Sequence, residues 1–241
     1  KENDELVDVA ITKAGDEVVL STARGMAIRF PEANARPMGR NTSGVKGIKL
    51  GSGDALVGMV VADPEATLLT VCQNGYGKRT FFGPNNPEAA SSELAGDEAG
   101  GSEAGGSEAG EPEEDEIHAE AAGEEHEGEE AGEEGANSGQ RYRTQRRGGK
   151  GLRDIKTTDR NGPVVSIASV RDDDELLMMT ARGKIQRIVA GEISVIGRNT
   201  QGVRIMTLDD DDTLAAAVRV PRDEGGEEEP EGQRDGGAEG S

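Results

Sequence analysis

Residues Gln145-Arg146-Arg147-Gly148-Gly149-Lys150-Gly151 place three cations and three glycines in seven positions. That combination suits an anion. Glycine lets backbone N–H groups approach an oxygen with no Cβ in the way. Arginine makes forked bonds to phosphate, and lysine adds a compact positive charge. The amide of Gln145 suits either a neighbouring backbone or a phosphate. Contacts of this kind position a nucleic acid without reading it, because sequence is carried by base edges. The heptad is not a nucleotide-binding P-loop. Counted back from Gly149-Lys150, Thr144 stands where G-x-x-x-x-G-K-[ST] needs its first glycine, and Gly151 stands where Ser or Thr belongs.

Other chemistries find no support. His118 and His126 lie in a Glu/Gly/Ala/Ser stretch without cysteine partners, which argues against structural zinc. Cys72 is the one cysteine and sits in an apolar run, so a buried inert thiol is expected and a disulfide framework is excluded. Tyr76 and Tyr142 are the only tyrosines, and neither has the surroundings of a catalytic residue. Asn41-Thr42-Ser43 fits a glycosylation sequon, but there is no signal-peptide pattern and no 18-residue apolar stretch. A soluble, cytoplasmic location without membrane contact is expected. The opening Lys1 suggests a piece of a longer polypeptide.

The formal net charge of -21 is unevenly spread. Residues 84–139 hold 19 Asp plus Glu and no Lys or Arg, and residues 221–241 hold 8 acids and 2 bases. The remainder holds 21 acids and 25 bases, so a mildly basic body carries two polyanionic segments. Their composition cannot bury enough apolar surface to offset ordering, so both are expected to be disordered. The expected organisation is a folded part in 1–83, an acidic insertion in 84–139, a second folded part in 140–220 and an acidic tail in 221–241. A polyanion tethered beside the heptad is expected to compete for its cations. A merely solubilising insertion is the alternative.

The elements that must position the heptad come from a repeat. Glu17–Phe30 (EVVLSTARGMAIRF) matches Glu175–Ile188 (ELLMMTARGKIQRI), and Gly39–Leu50 (GRNTSGVKGIKL) matches Gly197–Leu208 (GRNTQGVRIMTL) at the same offset. A third copy, Leu68–Phe82, aligns through Gly25 and Gly75, and its partner segment is the heptad itself, displaced by the insertion. Each unit reads as a hairpin with a Gly-containing turn, strongest at Asn74-Gly75. The runs ELVDVAI, ALVGMVV, PVVSIAS and TLAAAVRV supply one more strand each. An all-β fold follows, with about three propeller-like blades of about four strands in about 50 residues each.

MGRNTSGVKGIKLGSGD, QNGYGKRT, DRNGPVV, EISVIGRNTQGV and above all QRRGGKG resemble the C-terminal domains of DNA gyrase A subunits, in which the heptad is the gyrase-A box. The resemblance covers nearly all of 1–83 and 140–220. It implies a β-pinwheel with a basic rim around which double-stranded DNA wraps. It also implies a component of an ATP-hydrolysing type IIA topoisomerase assembled with gyrase B as A2B2, associated with the nucleoid. ATP, Mg2+ and the cleaving tyrosine belong elsewhere in that assembly, so no cofactor and no catalytic residue are expected in this segment. In the family the intact box usually lies in the first blade; here it lies in the middle unit, with Asn41–Gly47 and Asn199–Ile205 read as degenerate counterparts. Bending 20–30 base pairs costs about 1–6 kcal/mol, so one loop needs help. Arg40, Lys46, Lys49, Lys78, Arg79, Arg153, Arg198 and Arg204 are the further candidates, beside Gln145 to Gly151 themselves. The competing readings are the equivalent topoisomerase IV domain, where the box is typically degraded, a propeller-like protein scaffold, and an acidic histone-chaperone-like protein.

Overall fold

The computed structural model describes residues 5–85 and 139–220. The acidic insertion, apart from its ends, and the acidic tail lie outside the described residues, as does any competition between them and the heptad. The described strands are β1 (Glu17–Thr22), β2 (Met26–Pro31), β3 (Leu56–Val61), β4 (Thr67–Cys72), β5 (Tyr76–Phe81), β6 (Leu152–Arg153), β7 (Val164–Val170), β8 (Glu175–Thr180), β9 (Ile185–Val189), β10 (Val203–Arg204) and β11 (Leu214–Val220). They form three antiparallel sheets in the orders β3-β1-β2-β6, β10-β5-β4-β7 and β11-β8-β9.

Each sheet is centred on a hairpin, β1–β2, β4–β5 or β8–β9, which turns at Gly25, Gly75 or Gly183 with φ of +77, +78 and +87. The strand on the far side of β1 (β3) and of β4 (β7) comes from the chain leading to the next hairpin, and β11 takes that place beside β8. The fourth strand is a two-residue piece contributed by the segment that follows a glycine-rich loop: β6 closes onto β2, and β10 onto β5. Successive repeats are therefore interlocked, and a unit of sequence is not a unit of structure.

The run ELVDVAI departs from expectation. Residues 5–11 form no strand, and Leu6, Val9 and Ile11 are 90%, 81% and 95% exposed. By the register of the repeat, this run would border a hairpin preceding β1–β2, and no such hairpin stands among the described residues. The run instead meets the edge strand β3 through a side chain, Asp8 Oδ2 accepting the Met59 N–H at 3.3 Å, where a strand would use its backbone.

The core lies on and between the sheets. Val19 and Ala27 of the first sheet cluster with Leu68 of the second, Phe82 and Tyr142. Leu69 and Val71 of the second cluster with Leu176 and Met178 of the third. The third sheet has no fourth strand among the described residues, and its β9 leaves Ile185 61% exposed where β2 and β5 are largely buried.

Candidate nucleic-acid interface

The heptad Gln145–Gly151 leads directly into β6 and so docks on the first sheet. Gln145 donates its backbone N–H to Arg29 O on β2 at 2.7 Å; its buried side-chain oxygen has no hydrogen-bond partner among the described residues. Gly148 donates to Gly47 O at 2.7 Å, and Gly149 O accepts from Lys49 at 2.8 Å. Gly148 and Gly151 have φ of +80 and +78, and a Cβ on Gly151 would sit 2.5 Å from Ala27 O. The glycines thus serve the close approach of backbones. The N–H of Gly148 is engaged by Gly47, which corrects the expectation that it turns to a phosphate.

The same loop recurs one sheet along. Ile196 donates to Arg79 O at 2.8 Å as Gln145 does to Arg29 O, and Asn199 (φ +61) and Gly202 (φ +75) take the backbone places of Gly148 and Gly151. The counterpart of Gln145–Gly151 is therefore Ile196–Gly202, and by the sequence repeat Met38–Gly44, three residues upstream of the alignment read from sequence. Asparagine tolerates the left-handed backbone best after glycine, so the loop shape survives Gly148's replacement.

This register separates two kinds of arginine. Arg147 becomes Arg198, and each donates Nε to a main-chain carbonyl at 2.8 Å, Asn34 O and Arg141 O respectively. Arg147 adds Nη1 to Lys46 O at 2.8 Å. Both are staples between segments of the fold. Arg146 and Lys150, in contrast, correspond to Gly197 and Gln201; both are exposed, with no acidic partner among the described residues. What repeats in the loop holds it; what is peculiar to the middle copy carries free charge.

Lys150 opens onto a groove of about 400 Å³ lined also by Arg24, Met26, Lys49, Asp54 and Arg153. Its four cations face one carboxylate, and Asp54 already accepts the backbone N–H of Arg24 at 2.9 Å. Three predicted residues, Lys49, Lys150 and Arg153, thus meet. Lys46, Arg40 and Arg204 are exposed outside the groove. Arg24 had not been anticipated; its sequence signal, a cation beside the turn glycine, recurs as Arg182.

Lys78 and Arg79 do not belong to any such surface. Lys78 is fully buried, with Nζ 2.8 Å from Asp154 Oδ1 and donating to Thr80 Oγ1 and Gly197 O. Asp154 also accepts from Tyr142 OH at 2.5 Å and Thr70 Oγ1 at 2.7 Å. Burial pulls the Lys78 ammonium below its ordinary range while Asp154 pushes back. Burial first, then Asp154, raises the Tyr142 phenol well above its own. Arg79 is 3% exposed, donates Nε to Ile193 O and pairs with Asp172. It is the counterpart of Arg29, which is 1% exposed, pairs with Glu17 at 2.6 Å and donates to Phe82 O and Tyr142 O on either side of the insertion. The signal lay in the repeat: MAIRFP, YGKRTF and KIQRIV all carry arginine in the fourth place.

Among the described residues no cluster of His, Cys, Asp and Glu could hold a metal, and no helix is long and apolar enough to cross a membrane. The sequence matches the family model for the DNA gyrase C-terminal domain, beta-propeller, over residues 16–63, 138–171 and 174–221. The chain belongs to this family. The matched spans omit the β4–β5 hairpin, which the sheet order nevertheless makes the centre of the second blade of this gyrase-type domain. The chain is 35% identical over 222 residues to the DNA gyrase A protein of Haloquadratum walsbyi, covering 91% of this chain and 19% of that protein. It is 34% identical over 219 residues to the DNA gyrase A protein of Escherichia coli K12, covering 91% and 18%. It thus spans about a fifth of the length of these relatives. Among solved structures it resembles a DNA gyrase A C-terminal domain, with TM-score 0.57 and 24% identity, over 85% of this chain and 50% of that one. It also resembles a DNA topoisomerase IV C-terminal domain, with TM-score 0.60 and 17% identity, over 89% and 49%. At these identities the likeness is one of fold.

Proposed function

We propose that this chain binds and wraps double-stranded DNA as part of a gyrase A polypeptide, through phosphate contacts that do not depend on sequence. The observation that carries the proposal is the cation-lined groove beside the heptad, where Arg24, Lys49, Lys150 and Arg153 face the single carboxylate of Asp54, with Arg146 exposed on the same loop. The excess of four cations over one carboxylate in the groove suits a polyanion better than a protein partner of mixed charge. The intact QRRGGKG favours gyrase over topoisomerase IV. The partners are the rest of gyrase A together with gyrase B, in an A2B2 assembly of the cytoplasm and nucleoid. That assembly supplies ATP hydrolysis, Mg2+ and strand cleavage, while this chain contributes the path of the DNA.

The test is topological. The chain is mixed with nicked circular DNA, the nick is sealed, and the linking-number change is read. The expected result is a shift that falls by more than half in Arg146→Ala/Lys150→Ala. An undiminished shift in that variant would remove the groove from the function. Binding without any shift in the unaltered chain would reduce the role to holding DNA.

A further inference from the structure

The start of β5 carries an arrangement that neither neighbouring sheet reproduces. Tyr76 is 6% exposed, and two exposed arginines close over its ring. The Arg160 guanidinium carbon lies 5.0 Å from the ring centroid and that of Arg204 lies 5.5 Å away. Arg160 Nε and Arg204 Nη2 donate to the same phenol oxygen at 3.2 and 3.1 Å. Neither guanidinium has a carboxylate partner among the described residues. Two like charges therefore share one neutral acceptor. With both lone pairs of the phenol engaged, its only remaining hydrogen-bonding capacity is its own proton. Donation by the two arginines pulls the phenol below its ordinary range and makes that proton a better donor.

The fold does not require this grouping. Tyr76 corresponds to Met26 in the first sheet and Lys184 in the third. Arg204 corresponds to Arg153, each being the fourth-strand residue opposite those positions in its sheet. Arg160 precedes Asn161, whose backbone carbonyl accepts the Asn74 N–H of the turn, where the Asp54 and Asp212 side chains accept the Arg24 and Arg182 N–H in the flanking sheets; Gly53 and Asp211 precede those two. Only the middle unit combines an aromatic platform with two guanidiniums. Their forked donors and the phenol proton together match the oxygens of a phosphodiester, and stacking on the ring holds both planes in place.

We infer that Arg160 and Arg204, stacked on Tyr76, form a second phosphate clamp, which grips the DNA backbone one sheet along from the groove beside the heptad. The inference rests on the DNA-binding reading and extends it. Met26 and Arg153 of the groove and Tyr76 and Arg204 of the clamp occupy equivalent places in adjacent sheets, so the two sites are successive stations on one rim.

The test compares the full chain with Arg160→Ala and Tyr76→Phe on two blunt duplexes of random sequence. One is a single helical turn long (about 10 base pairs), and the other is long enough to cover both sheets. On the long duplex, Arg160→Ala is expected to weaken binding several-fold and to reduce the slope of log affinity against log salt by about 1. Tyr76→Phe, which keeps the ring and removes the phenol, is expected to weaken it less. On the single turn both variants should match the unaltered chain more closely. Unchanged affinity and slope in Arg160→Ala, while Arg146→Ala/Lys150→Ala loses binding, would overturn the clamp and leave the DNA reading standing. Absence of salt-dependent binding by the unaltered chain would overturn both.

Discussion

At the scale of single residues, charge in this protein has two fates, and burial decides between them. Lys78 and Asp154 are both withdrawn from water and depend on each other, with Tyr142 and Thr70 completing the carboxylate's partners. Removing one member of such a pair leaves the other buried and uncompensated. Asp154→Asn is therefore expected to cost about 3–5 kcal/mol, read as a lower urea midpoint. Cys72 borders the same network. Burial, and then the charge of Asp154, push its thiol from 9.0 to about 12. A proton held more tightly in the folded state adds stability that is full below pH 9.0 and is lost as pH rises toward 12. Cys72 should accordingly resist alkylation at pH 8 in the folded chain and react readily in urea. Equal rates in the two conditions would show that the thiol is not enclosed.

At the scale of elements, the decisive device is the exchanged fourth strand. After β6 the chain passes so close to the first turn that a Cβ on Gly25 would lie 2.2 Å from Ile155 O; the same approach puts a Cβ on Gly75 2.3 Å from Met206 O. Gly183, at the third turn, meets nothing within 4 Å. All three need positive φ, so alanine is strained at each by about 1 kcal/mol. Gly25→Ala and Gly75→Ala must also push a backbone segment away. Those two are expected to lower the thermal midpoint clearly more than Gly183→Ala does. Equal losses at the three turns would mean that the exchanged strands contribute little to holding the sheets together.

At the scale of the whole molecule, the net charge of -21 says little about the partner. Acid is concentrated in 84–139 and 221–241, while the groove and the clamp gather cations on adjacent sheets. Phosphate binding at such stations should fade steeply as salt rises, because each neutralised phosphate releases counterions. The linking-number shift should fade with it. A shift indifferent to salt would point to a wrap held by something other than these cations. One loop cannot offset the cost of a long bend, so sharing the contact between stations is what a wrap requires.

The sequence alone sufficed for the β class, the repeat, the strands of all three hairpins and the heptad, because periodicity, turn glycines and local composition are properties of neighbouring residues. It also sufficed to place Lys49, Lys150 and Arg153 among the candidates. It could not show that residues 152–153 join a sheet begun more than a hundred residues earlier, or that ELVDVAI meets β3 through the Asp8 side chain and forms no strand. Nor could it show that Lys78 and Arg79 are interior, that Arg147 is a staple, or that Arg160 meets Tyr76. Burial and strand partnership are conferred by segments distant in the chain. Only the tertiary structure, by bringing those segments together, decided which cations hold the fold and which remain open to a ligand.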